Sequence, residues 1–249
     1  MDNADKKVSA SLMDTIKSSD MPSLAVDTAE IAFDSILEEG VLRDIPVVSA
    51  IVGIGKVRAS IRDYLLAKKV LLFLQPLGEV PDEDRLAFAQ KLEENPETKT
   101  HVGETVIMLL DRFDDFHKAR WAGQLFSFVV AGRIQYKEFV RLNNSIDRAF
   151  ISDLDQMLDC FRKSKPQKYH RGKEQPLWQA LYLAGLANFE SKSGFARGLA
   201  GGVGPSPRPM TEDAEIDTET RYFPNSVARR LSELLLGDDF DEFSFRKRS

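Results

Sequence analysis

The sequence predicts a mainly α-helical protein, in which a multi-helix bundle is followed by a small α+β module. Three observations support this fold class. Apolar residues recur at intervals of three and four through roughly the first 160 residues, which is the spacing of amphipathic helices. A basic segment that begins at Arg162 interrupts the pattern. Beyond it, a Gly- and Pro-rich stretch separates two more helical segments, and a run of β-forming residues precedes the last one.

The composition is that of a globular chain. Its 249 residues are 43% hydrophobic and include 16 Phe, which is too much apolar content for a wholly disordered protein. The single cysteine, Cys160, excludes a disulfide framework and lies in an apolar helical pattern, which predicts a buried thiol. Residues 1–24 contain no continuous apolar stretch like that of a secretory signal, and no run reaches the ~20 apolar residues of a membrane span. We therefore expect a cytoplasmic protein and leave association with a membrane surface open.

The bundle is expected over residues 21–162, after a flexible N-terminal segment at 1–20. Proline and asparagine mark several helix ends: Pro46 opens one helix, Pro76 follows its end, and Asn95-Pro96 closes another. The predicted helices are 9–18, 22–38, 46–74, 82–93, 100–112, 115–131, 136–148 and 151–162.

The C-terminal third is predicted as a basic linker, a module and a tail. Six of residues 162–173 are Lys or Arg and none is acidic, which defines a linker at 163–175. A helix over 176–186 follows, then a stretch rich in Gly and Pro, and then the β-forming run 221–223. Asn225 or Ser226 can cap a helix over 227–236, which Gly237 ends. The module covers 176–237 and the acidic, aromatic tail covers 238–249.

This order of elements resembles the second half of a winged-helix domain. The resemblance covers about residues 176–236 and rests on the pattern L.GL at Leu183, Gly185 and Leu186 and on YF.N..ARRLSELLL at 222–236. It implies a helix, a hairpin wing and a helix that packs back. The wing would span about 30 residues, 189–219, and carries five acidic residues between 212 and 219, which argues against phosphate contacts by the wing.

No motif indicates a cofactor, a metal ion or catalysis. The run Gly53-Ile54-Gly55-Lys56 fails as a nucleotide-binding loop because Arg58 stands where a dinucleotide motif needs glycine and Val57 where a P-loop needs Ser or Thr. The densest acidic cluster, residues 111, 114 and 115 with His117 nearby, allows two interpretations: a metal site at a helix break, or helix capping with solvated charge. We expect no cofactor and no enzymatic activity.

Two basic features are candidate contact sites. The first is the linker, whose cations could meet an acidic protein partner or nucleic-acid phosphates, or simply be solvated. Its candidate contact residues are Lys163, Lys165, Lys168, Arg171 and Lys173. The second is the apolar and basic segment 45–74, which either is a core helix or lies on an anionic membrane surface. Its candidate contact residues are Lys56, Arg58, Arg62, Lys68 and Lys69.

The leading functional hypothesis is a non-enzymatic intracellular interaction or regulatory protein that works through protein contacts, with nucleic acid as a further partner class. The alternative is a peripheral membrane-binding or membrane-perturbing effector that uses segment 45–74. The two hypotheses differ in whether the apolar residues of that segment are covered by other helices. The residues that decide this are Ile45, Val48, Ile51, Val52, Leu65, Leu66, Leu72 and Phe73.

Overall fold

The computed structural model describes residues 3–18, 45–53, 60–162, 175–194 and 217–237. The chain divides into two compact units, Met1–Ile151 and Ser152–Ser249. Within the described residues there are ten α-helices and one two-stranded sheet, so the predicted mainly α-helical class is confirmed. The division falls at the start of the helix predicted for 151–162, whereas the sequence suggested a boundary at its end.

The N-terminal unit is built from seven described helices. They are α1 (Asn3–Lys17), α2 (Pro46–Val52), α3 (Ile61–Leu74), α4 (Asp82–Glu93), α5 (Pro96–Arg112), α6 (Phe116–Val130) and α7 (Tyr136–Arg148). A 3-10 helix, Gln75–Glu79, extends α3. Two of these helices, α4 and α7, match the predicted bounds to the residue. The helix predicted at 22–38 lies outside the described residues.

Two N-terminal predictions differ from the structure. The segment expected to be flexible is helical in α1, and its residues Leu12 and Ile16 are buried. The single helix predicted over 46–74 is wrong, because the structure has α2 and α3 in its place. The side chain of Ser60 accepts a hydrogen bond from the Asp63 amide, and the Asp63 carboxylate accepts one from the Ser60 amide. This capping box starts a new helix within a continuous apolar pattern.

The core of the unit is centred on Phe126 of α6. Its ring lies 5.4 Å from Phe73, 5.7 Å from Phe88 and 5.2 Å from Phe139, measured between ring centroids. Gly123, one turn before Phe126, lies directly against the backbone of Phe73: a Cβ placed on Gly123 would be 2.1 Å from that carbonyl oxygen. The absence of a side chain at Gly123 therefore allows α3 and α6 to approach closely.

Three cations each bond backbone carbonyls at the C-terminal end of another helix. Arg85 of α4 donates to the Ser18 carbonyl after α1, at 3.0 Å. Lys69 of α3 donates to the carbonyls of Asp111 and Phe113 at the end of α5. Lys118 of α6 donates to the Ala149 carbonyl after α7, at 2.6 Å. Helix C-termini carry unpaired carbonyls and partial negative charge, so these contacts fix how the helices end against one another.

The C-terminal unit contains α8 (Ile151–Arg162), α9 (Gln175–Leu183), β1 (Ala187–Gly194), β2 (Asp217–Pro224) and α10 (Ser226–Leu236). The strands pair antiparallel, with Phe189 opposite Tyr222.

Cys160 of α8 is buried, as predicted. The helix predicted to reach residue 186 ends at 183, because Gly185 has a φ of 78°. Predicted capping by residue 225 is confirmed, since the Asn225 side chain accepts from the amides of Val227 and Ala228.

Candidate protein interface

An exposed aromatic cluster lies where α9 meets the hairpin of the C-terminal unit. Its rings are Tyr182 of α9, Phe189 of β1 and Tyr222 of β2. Their centroids are 5.3 Å apart for Tyr182 and Phe189, 5.7 Å for Tyr182 and Tyr222, and 6.1 Å for Phe189 and Tyr222. Tyr182 keeps 38% of its surface exposed and Phe189 keeps 49%. The next residue, Leu183, is 77% exposed. We call Tyr182, Phe189 and Tyr222 the aromatic face, which Leu183 adjoins in the sequence.

The turn after α9 and the pairing of β1 with β2 bring these rings together. After α9, the Leu186 amide donates to the Leu181 carbonyl at 2.8 Å and the Gly185 amide to the Tyr182 carbonyl at 2.9 Å, which is the Schellman arrangement. The turn leads directly into β1, and the Phe189–Tyr222 register puts both rings on one side of the hairpin. Leu181 and Leu186 are fully buried, so the turn is anchored in the core.

Asn225, directly after β2, ties the C-terminal end of that strand to the same turn. Its side-chain amide donates to the Gly185 carbonyl at 2.9 Å, and its backbone amide donates to the Leu186 carbonyl at 3.1 Å. Together with its cap on α10, these bonds hold α9, β2 and α10 in one arrangement. The aromatic face is therefore supported by elements that hydrogen bonds tie to one another.

Sequence reasoning did not single out this face, although a signal was present. The helix α9 buries Trp178 and Leu181 completely, and these two positions, three residues apart, define its core side. Tyr182 and Leu183 lie off that side and are apolar, which is unusual for the exposed part of a short helix. Their proximity to Phe189 and Tyr222 depends on the turn and the strand register, which periodicity alone does not give.

The predicted partner-contact residues of the linker all lie outside the described residues. They are Lys163, Lys165, Lys168, Arg171 and Lys173. Lys56 and Arg58 of the predicted membrane surface also lie outside.

The structure describes three residues of the predicted membrane-contact set, namely Arg62, Lys68 and Lys69. Each of them contacts another part of the N-terminal unit. Arg62 bonds both carboxylate oxygens of Asp111, and this bonding together with the charge of Asp111 raises the pKa of Arg62. Lys68 lies over the Phe116 ring, 4.4 Å from its centroid. Burial lowers the pKa of Lys69, against the opposing effect of the Asp111 and Asp114 charges. The described cations therefore join α3 to the corner between α5 and α6.

The apolar residues that distinguish a core segment from a membrane-binding one are mostly covered. Ile45, Val48, Ile51 and Phe73 are buried. A further three are half-buried: Val52, Leu66 and Leu72. Leu65 is 39% exposed, and Ile61, one helical turn earlier, is 77% exposed. Among the described residues of the segment, the large apolar side chains that are exposed, rather than half-buried, thus lie in the first part of α3.

The acidic cluster is a corner of ion pairs and hydrogen bonds. Asp111 pairs with Arg62 and Asp114 pairs with Lys118 at 2.7 Å, while Nδ1 of the His117 ring lies 2.8 Å from the Asp115 carboxylate. Asp115 is also the N-cap of α6, and its carboxylate accepts from the His117 amide. Burial raises the pKa of Asp115, but the His117 hydrogen bonds and the nearby positive charges outweigh it, so the net shift is downward. In the described part of the chain, no three His, Cys, Asp or Glu side chains are grouped to hold a metal ion.

No protein-family model, curated protein or solved structure matches the chain. Among the described helices, none combines the length and apolar character needed to cross a bilayer.

Proposed function

We propose that this chain is a non-enzymatic interaction protein that binds a protein partner through the aromatic face of its C-terminal unit. The observation that carries the proposal is the exposure of Phe189 between two tyrosines, with the exposed Leu183 next to Tyr182 in the sequence. Tyr and Phe are enriched at protein interfaces because they bury a large apolar area at a small cost in conformational entropy. The partner that fits this face is a protein surface with apolar side chains to cover the rings.

Two finer features complete the proposal. The order helix, hairpin, helix supports a winged-helix-like module in this unit, with β1 and β2 as the stem of the wing. The cations of the linker, which directly precedes α9 in the sequence, would add long-range attraction for an acidic partner. In this proposal the rings supply affinity and the linker increases the association rate.

A photo-crosslinking amino acid at position 183 of the full chain tests the proposal. Leu183 is the best position because its exposure makes replacement harmless to the fold. Leu86 of α4 is 49% exposed in the other unit and serves as the matched control position. We expect a protein captured from position 183 and not from position 86. The purified partner should then bind the Phe189→Ala variant at least about tenfold more weakly than wild type, the loss typical of a central interface aromatic.

Capture of the same protein from both positions, or equal affinity for Phe189→Ala, would contradict the proposal. Circular dichroism of the variant distinguishes a lost contact from a lost fold.

Changing the five linker cations to Glu should slow association and reduce its salt dependence. Labelled single-stranded RNA and duplex DNA, titrated at about 50 mM and about 200 mM salt, test the nucleic-acid alternative, which predicts salt-sensitive binding that this charge reversal abolishes.

One observation favours binding to an anionic membrane surface as a second candidate function. Ile61 and Leu65 lie on one face of α3 and are accessible, with the exposed Arg62 beside them. Co-sedimentation with anionic and neutral liposomes at about 50 mM and about 300 mM salt tests it. Binding to anionic vesicles that is lost in the Ile61→Ser/Leu65→Ser double variant, and retained in the Leu86→Ser control, would support this function. Absence of binding would remove it.

A further inference from the structure

The link between α7 and α8 consists of two residues, Ala149 and Phe150. It lies immediately before the point at which the chain divides into its two compact units. Ala149 is 6% exposed, whereas Phe150 is 71% exposed. Ala149 has extended backbone angles, so α7 ends sharply at this position.

One buried lysine occupies the end of α7. Lys118 is fully buried on α6, and its ammonium group lies 2.6 Å from the Ala149 carbonyl oxygen, 3.5 Å from the Asp147 carbonyl oxygen and 2.7 Å from the Asp114 carboxylate. These three acceptors match the three donor hydrogens of an ammonium group. Two of them are backbone carbonyls, one in the last turn of α7 and one directly after it. No further helical turn supplies amide donors to carbonyls at such positions.

A second cation holds the same helix end from outside. Arg112, the last residue of α5, pairs with the Asp147 carboxylate at 2.9 Å. Its side chain is 50% exposed, so this contact is weaker than the buried one. Residues from the ends of α5 and α6 thus converge on the final turn of α7.

We infer that Lys118 holds the last turn of α7 and the α7–α8 link that follows it in place. An apolar side chain could fill the volume of Lys118, but it could not bond the Ala149 and Asp147 carbonyls. Burying a cation is costly unless it is fully paired, and here two of the three acceptors are carbonyls at the end of α7 and in the link. Loss of these bonds should open the link locally while the rest of the unit stays folded. This inference does not depend on the proposed function.

Cleavage by chymotrypsin after Phe150 tests the inference on the full chain. The ring is accessible, but a protease needs several neighbouring residues in extended form, so cleavage requires the link and the adjoining helix ends to open. The rate for the Phe150–Ile151 bond is followed by mass spectrometry at increasing urea concentrations. In Lys118→Met we expect the rate to rise about tenfold or more and to depend only weakly on urea, as for local opening.

Two variants separate opening of the link from general destabilisation. Leu12→Ala removes a fully buried side chain of α1 in the same unit, away from the link, and should raise cleavage only with the strong urea dependence of global unfolding. Arg112→Gln removes the outer contact and should raise the rate less than Lys118→Met, again with weak urea dependence. It also provides the test if Lys118→Met does not fold. Strong urea dependence in both link variants, equal to that of Leu12→Ala, would overturn the inference.

Discussion

Replacing Gly123 by Ala should separate the two helices at the centre of the N-terminal unit. The added Cβ would lie 2.1 Å from the Phe73 carbonyl oxygen, 2.8 Å from its carbonyl carbon and 2.9 Å from its Cα. All three atoms belong to the backbone, so no change of side-chain rotamer removes the clash. Since real Cβ contacts shorter than 3.0 Å essentially do not occur, α3 must move by about 0.9 Å or more.

The change in the free energy of unfolding combines two opposing effects. Overpacking a tight core contact typically costs about 1–3 kcal/mol, and a backbone obstacle favours the upper end of that range. Alanine stabilises the helix by about 1 kcal/mol relative to glycine, because its helix propensity is higher. The net loss should therefore be about 2 kcal/mol, or roughly 4–8 °C in the melting temperature of a unit of this size. The 5.4 Å contact between Phe73 and Phe126 weakens in the same step.

Thermal unfolding and amide hydrogen exchange measured by mass spectrometry check this prediction. Exchange in peptides from α3 and α6 should rise, while peptides from α9 and the hairpin serve as an internal reference. Gly132→Ala is the control, because an added Cβ meets nothing within 4 Å there and only the φ of +69° is unfavourable, which costs about 1 kcal/mol. If Gly123→Ala is as stable as wild type, or more stable, the close approach of α3 and α6 is refuted.

Two further predictions concern the helix caps of the N-terminal unit. Ser60→Ala should destabilise α3 by about 1 kcal/mol and Ser60→Asn by much less, because only Asn keeps an oxygen acceptor at the N-cap; chemical denaturation checks this, and equal losses in both variants would contradict it. Asp115→Asn should keep the cap of α6 but lose the contribution of the ionised carboxylate. The pKa of Asp115 is lowered in the folded state, so that contribution is present above its unfolded-state pKa and is lost as the pH falls through the folded-state pKa. The stability advantage of wild type over Asp115→Asn should thus shrink below about pH 4, and an unchanged difference at acid pH would contradict the assignment.

The face that we propose for partner binding could be predicted only in part from the sequence. Helical spacing located α9, and the order of elements indicated a hairpin followed by a helix. That Tyr182 and Tyr222 meet, however, depends on the Gly185 turn and on the strand register. Both are set by hydrogen bonds between residues up to 40 positions apart, such as the Asn225 side-chain amide to the Gly185 carbonyl.

The sequence by itself determined the helical class, several helix bounds, the buried thiol of Cys160 and a cap at residue 225 or 226, and it offered helix capping as one of two interpretations of the acidic cluster at 111–117. These features depend on periodicity and on contacts between near neighbours, which a single sequence contains. Tertiary structure decided the partners of Arg62, Lys69 and Lys118 and the exposure of the aromatic face, whereas the split between α2 and α3 is marked by the local Ser60–Asp63 capping box and was missed in the sequence. A cation on a helix has the same sequence pattern whether it is solvated, bound to a membrane or bonded to the end of another helix. Only the packing of the helices brings the Asp111, Phe113 and Ala149 carbonyls within reach, and so decides which role the cation has.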